Sequence, residues 1–218
     1  MISKNYINEK ILASQHCQRN WNLSKEILQE DIDLIITAAI QCPSKQNVAY
    51  YNIHAITNRD IIEAIHNNSD GFTIQQNPYK STTNTQVLAN LLIVLEPIDV
   101  NVTNRQDALR NDQTIALADG TISDMAEIIL ERDKNIAIGI ASGYINLTAA
   151  LLGYYTGFCA CFSRDKVKEI LNLKNEAVLL LLGIGFKDDV LDRKIQHTNH
   201  KYVYPAKQKQ EINVSYWK

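Results

Sequence analysis

Residues 176–186 read EAVLLLLGIGF, an almost uninterrupted apolar run that is followed by Lys187. The run is far shorter than the roughly 18 apolar residues that a membrane-spanning helix needs. It also lacks the alternation of apolar and polar side chains that marks a strand with one face in water. We therefore expect a central β-strand that is buried on both faces.

Two further stretches predict strands. Residues 52–57 alternate apolar and polar side chains, and residues 87–95 form a run that is apolar except for Asn90 and ends before Pro97. Short helices are expected at residues 6–13, 59–66 and 164–171, the last of them capped by Ser163. Helices and strands are mixed, with only one or two crossovers from helix to strand, and this mixture indicates an α+β fold.

Two longer helices complete the predicted fold. The first should begin at Ser24, which has the side chain of an N-cap, and run to about Gln41 before Pro43. Its apolar residues recur with helical spacing and predict one buried stripe: Ile32, Ile35, Ile36 and Ala39. The second helix should cover residues 121–155 and end at Gly157.

Composition limits the classes of function. The chain of 218 residues is long enough for one domain, and 45% hydrophobic with 21% charged residues is typical of a globular protein. A formal net charge of −2 gives no general attraction to nucleic acid or to an anionic membrane. No segment reads as a membrane span or a signal peptide, so we expect a cytoplasmic protein whose four cysteines are thiols.

Four segments hold the residues that could carry chemistry. Residues 15–21 read QHCQRNW before the first long helix, and residues 42–47 read CPSKQN after it. Residues 153–159 read GYYTGFC, and residues 181–186 read LLGIGF at the end of the central strand. Each segment alone is a weak signal, but their order and spacing resemble the nitroreductase family over about residues 15–186.

The nitroreductase family opens with a motif like Arg-Arg-Ser-x-Arg-x-Phe and has Ala-Pro-Ser-x-x-Asn at the end of the next helix. The most specific match here is Pro43-Ser44-x-x-Asn47, at the family's distance from Arg19 and Trp21. The resemblance implies a mixed, mainly antiparallel central sheet that is flanked by helices.

The resemblance also implies a homodimer that holds one FMN in each subunit interface, with the helix at 121–155 burying much of the contact. Residues 1–218 would form a single domain, and residues from about 187 to 218 would be a C-terminal extension that wraps the partner subunit.

A flavin site needs donors and positive charge for the phosphate, polar groups for the pyrimidine edge, and a donor facing N5. By resemblance, Arg19 lies at the pyrimidine edge, where a fixed cation favours the anionic reduced flavin. The turn after the helix would approach the same flavin from the partner subunit, through Pro43, Ser44, Lys45 and Asn47. Backbone donors near N5 would come from Cys161, Phe162 and Ser163, and phosphate contacts from Arg193 and Lys194 in the tail.

The sequence departs from the family pattern at several of these positions. Gln15 stands where the family has an arginine that binds phosphate, and Cys17 stands where it has serine. Both remain candidate cofactor contacts, although a neutral amide gives up the charge-assisted hydrogen bond of a guanidinium. Either the tail supplies that charge or cofactor binding is weaker. Residues 49–51 replace the family's Gln-Pro-Trp, and residues 158–159 replace its Leu-Gly.

Simpler roles exist for each candidate. Arg19 could be a solvated loop residue, Ser44 and Asn47 ordinary turn residues, and Phe162 and Ser163 a strand end and a helix cap. Charges in a tail usually face solvent. Cys159 and Cys161, with two histidines downstream, suggest zinc, but Cys-x-Cys is an uncommon spacing for a structural zinc site. Cysteines that pack as small apolar residues are the better interpretation, and we expect no metal.

The leading hypothesis is ping-pong oxidation and reduction. NAD(P)H would pass hydride to flavin N5 and leave, and an electron-poor acceptor such as a nitroaromatic or a quinone would take its place. A dehalogenase-like or flavin-fragmenting enzyme on the same scaffold is an alternative, with residues 99–120 as its substrate lid. The other alternative is a catalytically idle protein that binds a flavin or another small ligand.

Overall fold

The computed structural model describes residues 3–69, 84–98, 122–174, 178–189, 209 and 211–217. Within them, the apolar run at 176–186 forms strand β4, Leu180–Gly185. Strand β4 pairs with β2 (Leu91–Pro97) on one side and with β3 (Tyr155–Cys159) on the other, and β1 (Tyr51–Ile56) pairs with β2. The strand order is β1-β2-β4-β3, and each of these pairings is antiparallel. The predicted α+β class and buried central strand are confirmed.

Helices cover both faces of the sheet. One face packs against α2 (Gln29–Ile40) and α4 (Ile122–Leu151), whose Ile35 and Ile145 meet Ile93 and Leu182. The opposite face packs against α3 (Arg59–His66) and α5 (Arg164–Ile170) around Leu92 and Leu181. Alternate residues of β2 and β4 therefore enter different cores, which explains why β2 is apolar from Leu91 to Leu95 and β4 along its whole length. None of the described helices is long and apolar enough to cross a membrane.

The ends of the short helices agree with the sequence, and the start of α2 does not. Helix α1 spans Lys4–Ser14, and α3 and α5 begin at the predicted residues. Helix α2 begins at Gln29 instead of after Ser24, because the Ser24 N–H and hydroxyl both donate to Asn22 Oδ1 and close a local turn. Ser24 is therefore not the N-cap, and Leu28 takes that position without a side-chain hydrogen bond.

The prediction that Gly157 ends the long helix is wrong. Helix α4 ends at Leu151, and Gly153 turns the chain with a φ of 91°. This left-handed conformation favours glycine. Tyr154 N donates to Ala149 O at 2.9 Å, so the turn satisfies a carbonyl of the last helical turn. Gly157 instead lies in β3, a strand that the sequence pattern did not predict.

Strand β2 begins four residues later than the pattern of residues 87–95 suggested. Residues Thr85–Val87 form a 3-10 turn, and the strand proper spans Leu91–Pro97. Before it enters the sheet, the chain crosses the face of β3 and β4 at two glycines. Close packing against Gly157 and Gly183, rather than local hydrophobicity, thus decides where β2 starts.

Candidate functional site

The predicted motif at residues 15–21 lies along the ends of β3 and β4. Gln18 N donates to Thr156 O at 2.7 Å, and Asn22 N donates to Phe186 O at 2.9 Å. Trp21 forms a β-bridge with Lys187 and is 6% exposed. Backbone hydrogen bonds therefore fix the position of Arg19 from both sides along the chain.

Two facing glycines form a flat surface beneath this segment. Gly157 of β3 and Gly183 of β4 are partners in the register. A Cβ on Gly157 would lie 2.5 Å from Gln18 O and 2.7 Å from Gln86 Cβ, and a Cβ on Gly183 would collide with Gln86 O. Residues 18 and 86 can approach the sheet only because no side chain stands there. We use the name glycine cradle for the surface of Gly157 and Gly183 together with Gln18, Arg19 and Gln86 of the segments that cross it.

The glycine cradle contains buried polar atoms that the described residues do not satisfy. Arg19 Nε and Gln86 Oε1 are both buried and have no hydrogen-bond partner in the described part of the chain. Gln86 is 4% exposed, its Nε2 donates to Asn84 Oδ1 over 3.3 Å, and its side chain also interacts with the Cys159 thiol. A buried donor and a buried acceptor without partners cost free energy, roughly 1–3 kcal/mol for each group. A bound group that offers an acceptor to Arg19 Nε and a donor to Gln86 Oε1 would remove this cost.

The segment with Cys161, Phe162 and Ser163 lies beside the cradle. Asn84 Nδ2 donates to Cys161 O at 2.9 Å, and Phe162 forms a β-bridge with Ser69. Ser163 is the N-cap residue of α5, but its side chain makes no cap hydrogen bond, and its N–H donates to Asn68 O at 2.8 Å. The Ser163 N–H is thus already engaged in the structure.

Cys17 and Cys159 belong to the segments that adjoin the cradle. The Cys17 thiol is half-buried and lies 3.7 Å from Phe158 O. Burial is the largest cause that raises the pKa of the Cys159 thiol to about 11. Cys159 is therefore a poor nucleophile near neutral pH, because the thiolate is the reactive form. Its packing in the core agrees with the interpretation of this cysteine as a small apolar residue.

The turn that begins at Pro43 is arranged quite differently. Ser44 Oγ donates to Val48 O at 2.8 Å, and the 3-10 turn Lys45–Asn47 ends with Asn47 at a φ of 56°. Lys45 Nζ lies 2.5 Å from Asp133 Oδ2 of α4. The contacts of this turn are with its own neighbours and with α4, whereas Arg19 lies against β3. Within one chain, the two predicted parts of the flavin site therefore lie apart: Arg19 lies at β3, and the turn after Pro43 lies at α4.

A cavity of about 550 Å³ adjoins this turn. Its lining includes Cys42, Ser44, Asn47, Tyr51 and Asn52. Burial raises the pKa of the Tyr51 hydroxyl, and a hydrogen bond with Cys42 raises it further. The Tyr51 hydroxyl donates to Ala39 O at 2.7 Å, so it stays protonated and holds β1 against the end of α2.

The remaining predicted contacts are on the surface or outside the described residues. Gln15 is the exposed C-cap of α1, and Pro43 is exposed. Arg193 and Lys194, like residues 99–120, lie outside the described residues. In the part of the chain that the structure describes, no group of three or more His, Cys, Asp or Glu could hold a metal ion.

Sequence reasoning missed Gln18 and Gln86. Gln18 lies inside the quoted motif, and its Oε1 accepts from the N–H groups of Arg19 and Asn20 at 2.8 and 3.0 Å. Gln86 reads only as the last polar residue before an apolar run. The signal that could have drawn attention to it is Gly183, since a glycine inside a strand often marks a close approach of another backbone.

Comparisons with known proteins agree with this fold. The model of the Nitroreductase family matches residues 12–186. The structure of ydfN from Bacillus subtilis has a TM-score of 0.66 at 16% identity, with 98% of this chain and 97% of that chain covered. A nitroreductase family protein from Clostridium novyi NT has a TM-score of 0.60 at 19% identity, over 90% and 96%.

A protein from Exiguobacterium sibiricum, solved in complex with FMN, has a TM-score of 0.61 at 16% identity, with 96% of this chain and 94% of that chain covered. At these identities the likeness shows the fold. No curated protein matches the chain.

Proposed function

This chain belongs to the nitroreductase family, and on that premise we propose that it is a flavoprotein oxidoreductase whose cofactor is FMN. When bound, FMN would take hydride from NAD(P)H and deliver it to an electron-poor acceptor such as a nitroaromatic or a quinone. The single observation that carries the proposal is the glycine cradle, with its buried and unsatisfied donor and acceptor.

The cradle fits the polar edge of a flavin. The pyrimidine ring of a flavin offers carbonyl acceptors next to an N–H donor. Arg19 Nε would donate to a carbonyl, and Gln86 Oε1 would accept from the N–H, so both buried atoms would gain the partners they lack. The positive charge of Arg19 would also stabilise negative charge on that edge, more strongly because the site is partly dehydrated.

Other residues would position the cofactor. Phe162 and Ser163 adjoin the cradle through Cys161, and they remain the candidates for contacts near N5, Ser163 through its hydroxyl because its N–H donates to Asn68 O. Ser44 and Asn47 remain candidates for contacts with the flavin of the partner subunit. Gln15 is exposed, and with it we retain Cys17, Arg193 and Lys194 as candidates on the phosphate side. In this proposal the positive charge that Gln15 lacks comes from the tail.

A homodimer is part of the same proposal, and the exposed apolar surface supports it. On α4, Ile136 is 52% exposed and Tyr144 46%, and Gly139 and Gly143 have open space where a Cβ would stand. An apolar face with small residues suits a helix from a second subunit. In the tail, Tyr216 and Trp217 are 87% and 95% exposed, which favours an extension that wraps the partner.

A second candidate is a flavin-binding protein without turnover. The observation that favours it is Gln15, an exposed and neutral residue where the family pattern has a phosphate-binding arginine. The two candidates differ in one measurement. A flavin-loaded enzyme loses its yellow colour when NADH or NADPH is added without oxygen, and an idle binder does not.

The proposal is tested by loading the purified protein with FMN and measuring its affinity and its bleaching by each nicotinamide. For Arg19→Met, we expect FMN affinity to fall about tenfold or more and bleaching to slow. The free energy of unfolding without flavin should change by less than about 1 kcal/mol, because Arg19 Nε has no partner and only the long bond of 3.5 Å from Nη1 to Cys17 O is lost. Lys166→Met, which removes an exposed cation on α5, is the control and should bind FMN normally. A wild-type protein without saturable FMN binding would refute the proposal.

A further inference from the structure

Asp133 of α4 is a buried carboxylate that the proposed reaction does not use. Its side chain is 5% exposed, Lys45 Nζ lies 2.5 Å from Oδ2, and Arg132 Nη2 lies 3.1 Å from Oδ1. Lys45 is 48% exposed and Arg132 59%, so the two cations reach inward from the surface. A buried charge is retained at low cost only when it is paired and hydrogen-bonded, as Asp133 is.

The same face of α4 holds the turn by apolar contact. Ala137, one helical turn after Asp133, packs with Val48 and Tyr50 in a small buried cluster. Asp133 thus binds the first residue of the turn Lys45–Asn47, while Ala137 holds the chain that follows it. The carboxylate and the apolar cluster together fix the turn upon the helix at two points.

We propose that Asp133 is a positioning residue for the cofactor site of the partner subunit. By holding Lys45, it fixes the turn whose Ser44 and Asn47 are candidates for contact with the partner's flavin. The inference rests on the proposed function. It also gives Lys45, which the sequence suggested as a contact with the partner's flavin, a role within its own chain: its ammonium group binds a carboxylate and acts as a tether.

The two roles of Lys45 predict opposite results when Asp133 is neutralised. If Lys45 were a direct phosphate ligand, Asp133→Asn would release its charge and tighten FMN binding. If Lys45 is a tether, Asp133→Asn frees the turn and weakens binding, because a contact group that is no longer held in position loses affinity. A tether also acts on riboflavin and FMN alike, since riboflavin lacks only the phosphate.

The test compares the dissociation constants of FMN and riboflavin in wild type, Asp133→Asn, Lys45→Met and the double variant. We expect each single variant to weaken both ligands by the same factor, about tenfold, and the double variant to be no weaker than either. Lys45→Arg, which can still donate to Asp133, should restore most of the affinity. Asp60→Asn, an exposed carboxylate in the first turn of α3, is the matched control and should bind both ligands as wild type does.

Each outcome decides the assignment. Unchanged or tighter FMN binding by Asp133→Asn, or a loss confined to FMN, overturns the positioning role and leaves the proposed function intact. A wild-type protein that binds neither ligand overturns both. If Asp133→Asn does not fold, Lys45→Met decides, because Lys45 is half-exposed: equal losses for both ligands support the tether, and a loss for FMN alone overturns it.

Discussion

The glycine cradle and the Pro43–Asn47 turn differ in how their polar groups are satisfied. In the cradle, Arg19 Nε and Gln86 Oε1 are buried without partners among the described residues. In the turn, Ser44 and Lys45 find their partners inside the same chain, at Val48 and Asp133. A ligand would supply partners that the cradle lacks among the described residues, whereas the turn, whose groups are already satisfied, would serve a second molecule only through its shape.

The two regions also depend on different forces. The cradle exists because two strands bring glycines together and so let the chain at residues 18 and 86 lie against the sheet. The turn depends on one ion pair and one small apolar cluster. Substitutions in the cradle should therefore affect folding or ligand binding strongly, and substitutions in the turn should have milder effects on stability.

The largest effect is expected for Gly183→Ala. The added Cβ would collide with Gln86 O and lie 2.9 Å from Ala89 Cβ, in the middle of a buried strand where neither backbone can move freely. We expect the free energy of unfolding to fall by roughly 3 kcal/mol or more, since overpacking of a core against backbone is poorly relieved. Urea unfolding followed by circular dichroism measures the loss.

The matched control for this prediction is Gly183→Ala combined with Ala89→Gly. The second change removes the methyl contact but leaves the collision with Gln86 O, so it should recover only a small part of the stability. Full recovery would show that the side chain of Ala89, and not the crossing backbone, limits the space. A single variant as stable as wild type would mean that Gln86 does not lie on the glycines.

A second substitution separates folding from binding within the cradle. Gln86→Met keeps the length of the side chain but removes the unsatisfied Oε1. Without ligand, we expect the free energy of unfolding to change by about 1 kcal/mol, because a long bond to Asn84 and a weak contact with the Cys159 thiol are lost. FMN affinity should fall about tenfold, because the acceptor for the flavin N–H is gone. Gln29→Met, on the surface of α2, is the control.

Calorimetric titration with FMN measures the affinities of Gln86→Met and of the control Gln29→Met. Unchanged FMN affinity in Gln86→Met would remove the strongest support for the cradle as a flavin site. A large loss of stability in the absence of ligand would show that Gln86 is a structural residue whose amide is already satisfied.

Most of the fold follows from patterns that are local in the sequence. The alternating residues of β1, the apolar runs of β2 and β4, and the short helices α1, α3 and α5 are visible in the sequence. The errors fall where a contact or a backbone angle decides. Ser24 bonds to Asn22 instead of capping α2, and Gly153 with its positive φ ends α4. The spacing of apolar residues predicts neither the hydrogen bond of Ser24 with Asn22 nor the positive φ of Gly153.

The candidate site is less predictable for a related reason. Arg19 could be identified because a short motif surrounds it, and the structure shows that its backbone is held against β3. Gln86 could not, because its importance depends on Gly157 and Gly183 becoming neighbours across two strands. The ion pair between Lys45 and Asp133 joins residues that are 88 positions apart. Contacts between residues so far apart in the sequence arise from the tertiary fold, and the local pattern of a single sequence does not predict them.

A mild effect on stability is expected in the turn, for Ser44→Ala. The substitution removes the hydroxyl that donates to Val48 O at 2.8 Å and leaves that carbonyl to find water at the edge of a half-buried turn. We expect the free energy of unfolding without flavin to fall by about 1 kcal/mol. Lys45 and the cluster of Val48, Tyr50 and Ala137 still hold the turn, so its shape should survive. Ser24→Ala, which removes an exposed hydroxyl from another local turn, should cost less. A loss as large as that of Gly183→Ala would contradict the comparison between the two regions, since it would make a single hydroxyl as important to the fold as a glycine that a backbone crosses.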